Sequence, residues 1–148
     1  MRTSDAIRRS AVGIRPDQTL REAAEIMEQA GVGSLVVVDD GRLVGIVTDR
    51  DLVRRGLAKG LDPTARVDGL MSAPVTTVAA DADLHDVFAV FRAHAVRRVP
   101  VVRDGTVVGV LSVDDLLIDV AADLADLARP VTAEAIFGQR DAGVPATA

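Results

Sequence analysis

Val36-Val37-Val38-Asp39-Asp40-Gly41-Arg42-Leu43-Val44-Gly45-Ile46-Val47-Thr48-Asp49-Arg50-Asp51 is a branched apolar run, a turn, a return run, and a hydroxyl residue followed three positions later by an acid. The same grammar comes back 64 residues later as Pro100-Val101-Val102-Arg103-Asp104-Gly105-Thr106-Val107-Val108-Gly109-Val110-Leu111-Ser112-Val113-Asp114-Asp115. The correspondence extends without a gap over 17–51 and 81–115, with Leu20 meeting Leu84, Gly45 meeting Gly109 and Asp51-Leu52 meeting Asp115-Leu116. Self-similarity at a fixed period marks a duplicated structural unit. Two such halves meet at a pseudo-symmetric seam, and ligand pockets form preferentially at seams of this kind.

Each copy reads as strand, helix, strand, turn, strand, helix. In the first, 11–14 is a short apolar strand, and Asp17 opens a helix that Gly31 ends by accepting a left-handed conformation. Ala23, Ala24, Ile26, Met27 and Ala30 recur at helical spacing, while Arg21, Glu22, Glu25 and Glu28 take the other side. The run 35–38, the Asp-Gly turn and the run 43–47 predict a hairpin. A second helix over 49–58 stops at Lys59-Gly60-Leu61-Asp62-Pro63. The second copy places a strand at 75–78, a helix at 81–95, a hairpin over 99–111 and a helix over 113–128, with Leu117, Val120, Ala121, Leu124 and Leu127 on one face. This divides the chain into a first repeat at 1–62, a second at 63–128, and a flexible tail at 129–148 with one turn near 133–137.

Composition narrows the function classes. A chain of 148 residues is long enough for a real core, burying about 70% of its unfolded surface. Its apolar half is Val, Leu, Ala and Ile, with three Phe and no Tyr or Trp, so a row of aromatics for stacking on bases is absent. A net charge of −5 argues against general affinity for nucleic acid or an anionic membrane. With no cysteine there is no disulfide, thiol nucleophile or thiolate metal site. No apolar run reaches the roughly 18 residues of a membrane span, and Met1-Arg2-Thr3-Ser4-Asp5 lacks a signal-peptide core, so a cytoplasmic protein is expected.

The chemically informative pattern closes each repeat. Thr48 with Asp51, and Ser112 with Asp115, sit where a strand passes into a helix. Unpaired amides at a helix start and the helix dipole attract phosphate, and an acid one turn later can accept hydrogen bonds from ribose hydroxyls. The same pattern is also a helix cap, and both readings stand at this point. No Ser-His-Asp set, phosphate loop or dinucleotide fingerprint is present. His85 and His94, nine apart on one helix, do not share a face for a metal.

Taken together, the repeat spacing, the 36–51 run, Val99-Pro100-Val101-Val102 and the Leu70-Met71-Ser72-Ala73-Pro74 lead resemble a pair of cystathionine-β-synthase (CBS) domains, often called a Bateman module. The resemblance spans residues 3–127. It implies an α/β (α+β) fold of two β-α-β-β-α repeats packed together. It also implies a stand-alone, non-enzymatic regulatory protein that binds an adenosine-type ligand (AMP, ADP, ATP, S-adenosylmethionine or NAD) in the inter-repeat cleft.

Carried onto this chain, the resemblance makes Thr48 and Asp51 the phosphate and ribose contacts of one site, and Ser112 and Asp115 those of the other. Arg50 adds a cation where the second repeat has Asp114, and Arg97 and Arg98, just before Pro100, match the phosphate-reaching basic positions. Their counterparts are Gly33 and Ser34, so one composite site using Arg98 with Asp51 or Asp115 is expected rather than two equal ones. Adenine is expected against the early strands, near Val12 and Ile14 or Thr76 and Val78. The first repeat lacks the Met and Pro of the 70–74 lead there. No catalytic residue, metal or catalytic cofactor is expected. The expected partners are the adenosine ligand, a second copy of the chain and an unidentified regulated protein. The alternative is a ligand-free interaction module.

Overall fold

The computed structural model describes residues 1–8 and 10–137, with side chains to residue 132. The chain divides into two compact units, Met1–Ser112 and Val113–Ala148.

In the first unit the order of elements repeats. Strand β1 (Gly13–Ile14) leads to helix α1 (Leu20–Ala30), then strands β2 (Ser34–Asp39) and β3 (Arg42–Thr48), and a helical run that opens with α2 (Asp49–Asp51). The second copy supplies β4 (Val78–Ala79), α3 (Leu84–His94), β5 (Arg98–Arg103) and β6 (Thr106–Ser112). Each copy builds a three-stranded mixed sheet, ordered β1-β2-β3 or β4-β5-β6, with its first pair parallel and its second antiparallel. The fold is α/β, as the sequence implies. Burial along β5 and β6 repeats that along β2 and β3 position for position, so the duplication reaches the packing.

Both hairpins turn on Asp-Gly pairs at positive φ, 45° and 77° at Asp40-Gly41 and 50° and 77° at Asp104-Gly105. A two-residue turn with both φ values positive matches the twist of the strands it joins. Helix α1 is capped two residues later than Asp17 predicts. Thr19 accepts from the Glu22 amide at 3.2 Å, and the Glu22 carboxylate accepts from the Thr19 amide at 2.7 Å. Asp17 instead pairs with Arg15. A reciprocal Thr-x-x-Glu box satisfies two end donors, which a lone acid cannot do. Likewise Asp83, not Asp81, caps α3, accepting from the His85 amide at 2.8 Å.

Ile14, Ala23, Met27, Leu35, Val37 and Val47 form the core of the first repeat, joined by Val67 and Leu70 from the connecting segment. Burying each large side chain among them contributes about 1.5–3 kcal/mol. The participation of Val67 reflects an exchange. The 3-10 turn Val67–Gly69 docks on the first repeat, with the Val67 amide on the Gln18 carbonyl (2.8 Å) and the Asp68 amide on that of Pro16 (3.1 Å). The equivalent turn Thr3–Ala6 docks on the second repeat, with the Thr3 and Ser4 amides on the carbonyls of Ala82 and Ala80, both at 3.0 Å. Thr3 is fully buried and its hydroxyl donates to the same Ala82 carbonyl at 2.9 Å. Each repeat therefore carries the other's lead turn.

The second unit is dominated by one helix, α4 (Val113–Phe137), which passes the expected end near 128 and contains Pro130. Thr132 donates its hydroxyl to the Ala128 carbonyl at 2.9 Å and Asp126 pairs with Arg129 at 3.1 Å, bracketing the proline. The following Ala-Glu-Ala favours helix. Of the expected tail, residues 138–148 lie outside the described residues.

Candidate functional site

Thr48 ends β3 in extended conformation and caps α2. Its hydroxyl accepts from the Asp51 amide at 3.1 Å, and the Asp51 carboxylate accepts from the Thr48 amide at 2.9 Å. The capping reading is therefore realised. One carboxylate oxygen serves it, while the other lies 3.8 Å from Arg55 Nε. A carboxylate has about four lone-pair sites, so acceptor capacity remains for a ligand hydroxyl. Arg55 in turn donates to the Leu70 carbonyl (3.1 Å) and the Ser72 hydroxyl (3.3 Å). It ties the acid to the segment between the repeats. That segment is itself laced to β3, with the Ile46 amide on the Ser72 carbonyl (3.1 Å) and the Ser72 amide on that of Ile46 (2.8 Å). Gly45 makes this approach possible, because a Cβ there would lie 2.9 Å from Met71 Cγ and collide with its sulfur.

Arg98, at the start of β5 in the second repeat, reaches this corner of the first. A Cβ built on Gly33 would lie 3.3 Å from Arg98 Nη2 and 3.1 Å from Asp49 Oδ2. The Asp49 amide is held on the Gly33 carbonyl at 3.0 Å. A half-buried guanidinium of one repeat thus stands beside the Thr48–Asp51 cap of the other, in space left open because Gly33 has no side chain. Arg97, the neighbouring basic position, is exposed.

The early strands are not equivalent. In the first repeat the Val36 amide donates to the Val12 carbonyl at 2.9 Å, and β1 pairs Gly13 with Val36. In the second, Pro100 stands in place of Val36 and has no N–H to give to the Thr76 carbonyl. Strand β4 accordingly begins at Val78, one residue later than its counterpart. Ile14 and Val78 are buried, while Val12 and Thr76 are half-buried. Pro100 is fully buried in the central strand. The backbone acceptor left without a strand donor from this position belongs to Thr76.

Arg50 is exposed beside Asp51, and both line a groove of about 420 Å³ with Arg54, Arg55 and Lys59. Ser112 ends β6. Asp115 lies in the first turn of α4 with Asp114. His85 and His94 are both exposed on α3. Among the described residues no three His, Cys, Asp or Glu side chains cluster to hold a metal, and no helix is long and apolar enough to cross a membrane.

The family model for the CBS domain matches residues 4–58 and again 67–122. The chain belongs to the CBS-domain family. This CBS pair is 33% identical over 115 residues to the CBS domain-containing protein YhcV of Bacillus subtilis, covering 78% of this chain and 82% of that one. It is 41% identical over 101 residues to hypoxic response protein 1 of Mycobacterium tuberculosis, covering 67% and 71%. A crystal structure of Hypoxic Response Protein I holds two coordinated zinc ions and matches with a TM-score of 0.69 and 34% identity, over 79% of this chain and 97% of that one. A CBS domain protein from Pyrobaculum aerophilum, solved in complex with AMP, matches with a TM-score of 0.72 and 31% identity, over 82% and 99%.

Gly33, Asp49 and Arg55 are parts of this corner of the CBS pair that the sequence reading did not single out as site residues. Gly33 was visible as a mismatch in the repeat, standing where the second copy has Arg97. Nothing in a linear pattern signals that Arg55 turns back to Leu70 and Ser72.

Proposed function

We propose that this CBS pair is a regulatory, non-catalytic module that binds an adenosine-type ligand at one composite site built from both repeats. The observation that carries the reading is Arg98 of the second repeat standing beside Gly33, Asp49 and the Thr48–Asp51 cap of the first. A guanidinium fork and a helix start suit a phosphate, and Asp51 suits ribose hydroxyls. The Thr76 carbonyl, with Val78 beside it, suits the amino edge of adenine better than Val12 and Ile14 do, because the Val12 carbonyl already accepts a strand hydrogen bond. Ser112 and Asp115 are the matching pair of the second repeat, where Asp114 stands in place of Arg50 and disfavours phosphate.

AMP is the first ligand to test, since a relative of similar length was solved with it. Binding biases the arrangement of the repeats, and a partner protein reads the change as a coupling free energy. A homodimer in the cytoplasm is the setting this reading expects. A thermal-shift panel of AMP, ADP, ATP, S-adenosylmethionine and NAD tests it. Ligand at about 100 times its dissociation constant adds roughly 2.7 kcal/mol, a shift of several degrees at this size. A shift that Arg98→Ala removes supports the composite site. No shift in nucleotide-free protein leaves the interaction module, a reading favoured by a Thr48–Asp51 cap that is complete without ligand.

A further inference from the structure

Asp49 stands at the composite corner and takes no part in the cap beside it. That cap is closed by Thr48 and Asp51, the side chain of each accepting from the other's amide. Asp49 gives one carboxylate oxygen to the amide of its own neighbour, Arg50, at 2.8 Å. The other lies over Gly33, where a built Cβ would be 3.1 Å from Asp49 Oδ2 and 3.3 Å from Arg98 Nη2. A carboxylate from one repeat and a guanidinium from the other therefore flank the same gap. Asp49 is exposed and Arg98 half-buried, so the gap opens to solvent. The Asp49 amide on the Gly33 carbonyl, at 3.0 Å, holds the backbone of the acid against that glycine. A closing helix does not require an acid at this position, since the second repeat carries Val113 there.

We propose that Asp49 is a specificity-determining residue of the composite site, selecting ligands by the charge on the arm attached to the ribose 5′ carbon. The inference rests on the nucleotide reading and deepens it. With the ribose on Asp51, the 5′ arm enters the gap over Gly33. Arg98 by itself favours any anion there, and favours it more as its charge rises. Asp49 sets a fixed negative charge against the same space. A phosphate monoester is largely dianionic near neutral pH, so at Arg98 it also meets a carboxylate to which it has no proton to offer. An arm that carries a cation beside an anion satisfies both walls: its carboxylate takes the guanidinium fork, and its ammonium or sulfonium faces Asp49. S-Adenosylmethionine is an adenosine ligand of that chemistry. Discrimination of this kind comes as much from the repulsive contact as from the attractive one.

Calorimetric titration of the unaltered chain and of Asp49→Asn with adenosine, AMP and S-adenosylmethionine tests this. Asparagine keeps an acceptor for the Arg50 amide and removes the charge, so the melting temperature is expected to stay within about a degree. AMP is expected to bind the variant about tenfold more tightly. S-Adenosylmethionine is expected to bind it several-fold more weakly, and adenosine equally well. Asp49→Ser, shorter and also neutral, moves the two charged ligands in the same opposite directions. Salt at about 0.5 M screens the exposed carboxylate and narrows both differences. A purely structural role for Asp49 shifts all three ligands together, and that result overturns the proposal. Unchanged affinity for both charged ligands overturns it too, while their binding leaves the nucleotide reading standing. Absence of binding by all three ligands to both nucleotide-free chains overturns the nucleotide reading and this inference with it.

Discussion

Thr76 and Pro100 occupy the positions that Val12 and Val36 occupy in the first repeat, and they lack the strand hydrogen bond that Val36 gives Val12. The second sheet has thus given up one rung at the position where the proposed site takes adenine. Pro100→Val returns the N–H and commits the Thr76 carbonyl to the strand. Nucleotide affinity is expected to fall about tenfold, near 1.4 kcal/mol, with no loss of ligand-free stability. Calorimetric titration with AMP measures the first and thermal denaturation the second. Undiminished affinity removes Thr76 from the site.

Asp51 caps α2, and the ribose contact proposed for it can be separated from that role by a pair of measurements. Asp51→Ala removes the acceptor for the Thr48 amide, so the ligand-free protein is expected to lose about 1 kcal/mol and a few degrees of melting temperature. Ligand-induced stabilisation is expected to vanish as well. Thr48→Ala costs a similar amount of stability but leaves the carboxylate, so a ribose-containing ligand still gives a reduced shift. Equal loss of response in both variants argues against a ribose contact at Asp51.

At Gly33 the expected outcome is selective. An added methyl lies within 3.3 Å of Arg98 and 3.1 Å of Asp49, both ends of side chains that can move aside. Gly33→Ala is therefore expected to leave the melting temperature within about a degree, in keeping with small effects at surface positions. Phosphate-bearing ligands are expected to bind several-fold more weakly, and adenosine itself unchanged. Equal weakening of adenosine and AMP places Arg98 away from the phosphate.

Gly45→Ala drives a Cβ into Met71, whose side chain lies against β3. Overpacking of this kind costs about 1–3 kcal/mol. Met71→Ala in the same chain is expected to recover part of the loss, giving a coupling in a double-mutant cycle by denaturant unfolding. Additive effects place the clash elsewhere.

Most of the fold was legible because its signals are local and occur twice: the Asp-Gly turns, the branched runs and the hydroxyl-acid pair at each strand end. What escaped reading was non-local. Nothing adjacent in sequence says that Val67 fills the first core while Thr3 serves the second repeat, or that Arg98 leans over Gly33. Helix starts were misplaced by two residues because Asp17 and Asp81 are good caps in isolation, and only the reciprocal bonds of Thr19 with Glu22 decide against the first. Helix α4 runs past its expected end at 128 because the turn around Pro130 is held by side-chain bonds, Thr132 to the Ala128 carbonyl and Asp126 to Arg129.

The exchanged lead turns bear on ancestry. A lone repeat with the same lead has a turn whose docking corner lies on another repeat, and a corner of its own awaiting a turn. Two identical copies satisfy both needs at once by trading turns around a twofold axis. In one chain that holds both copies the trade is internal and fixed, and the halves are free to differ, as they do at Pro100 and Arg98.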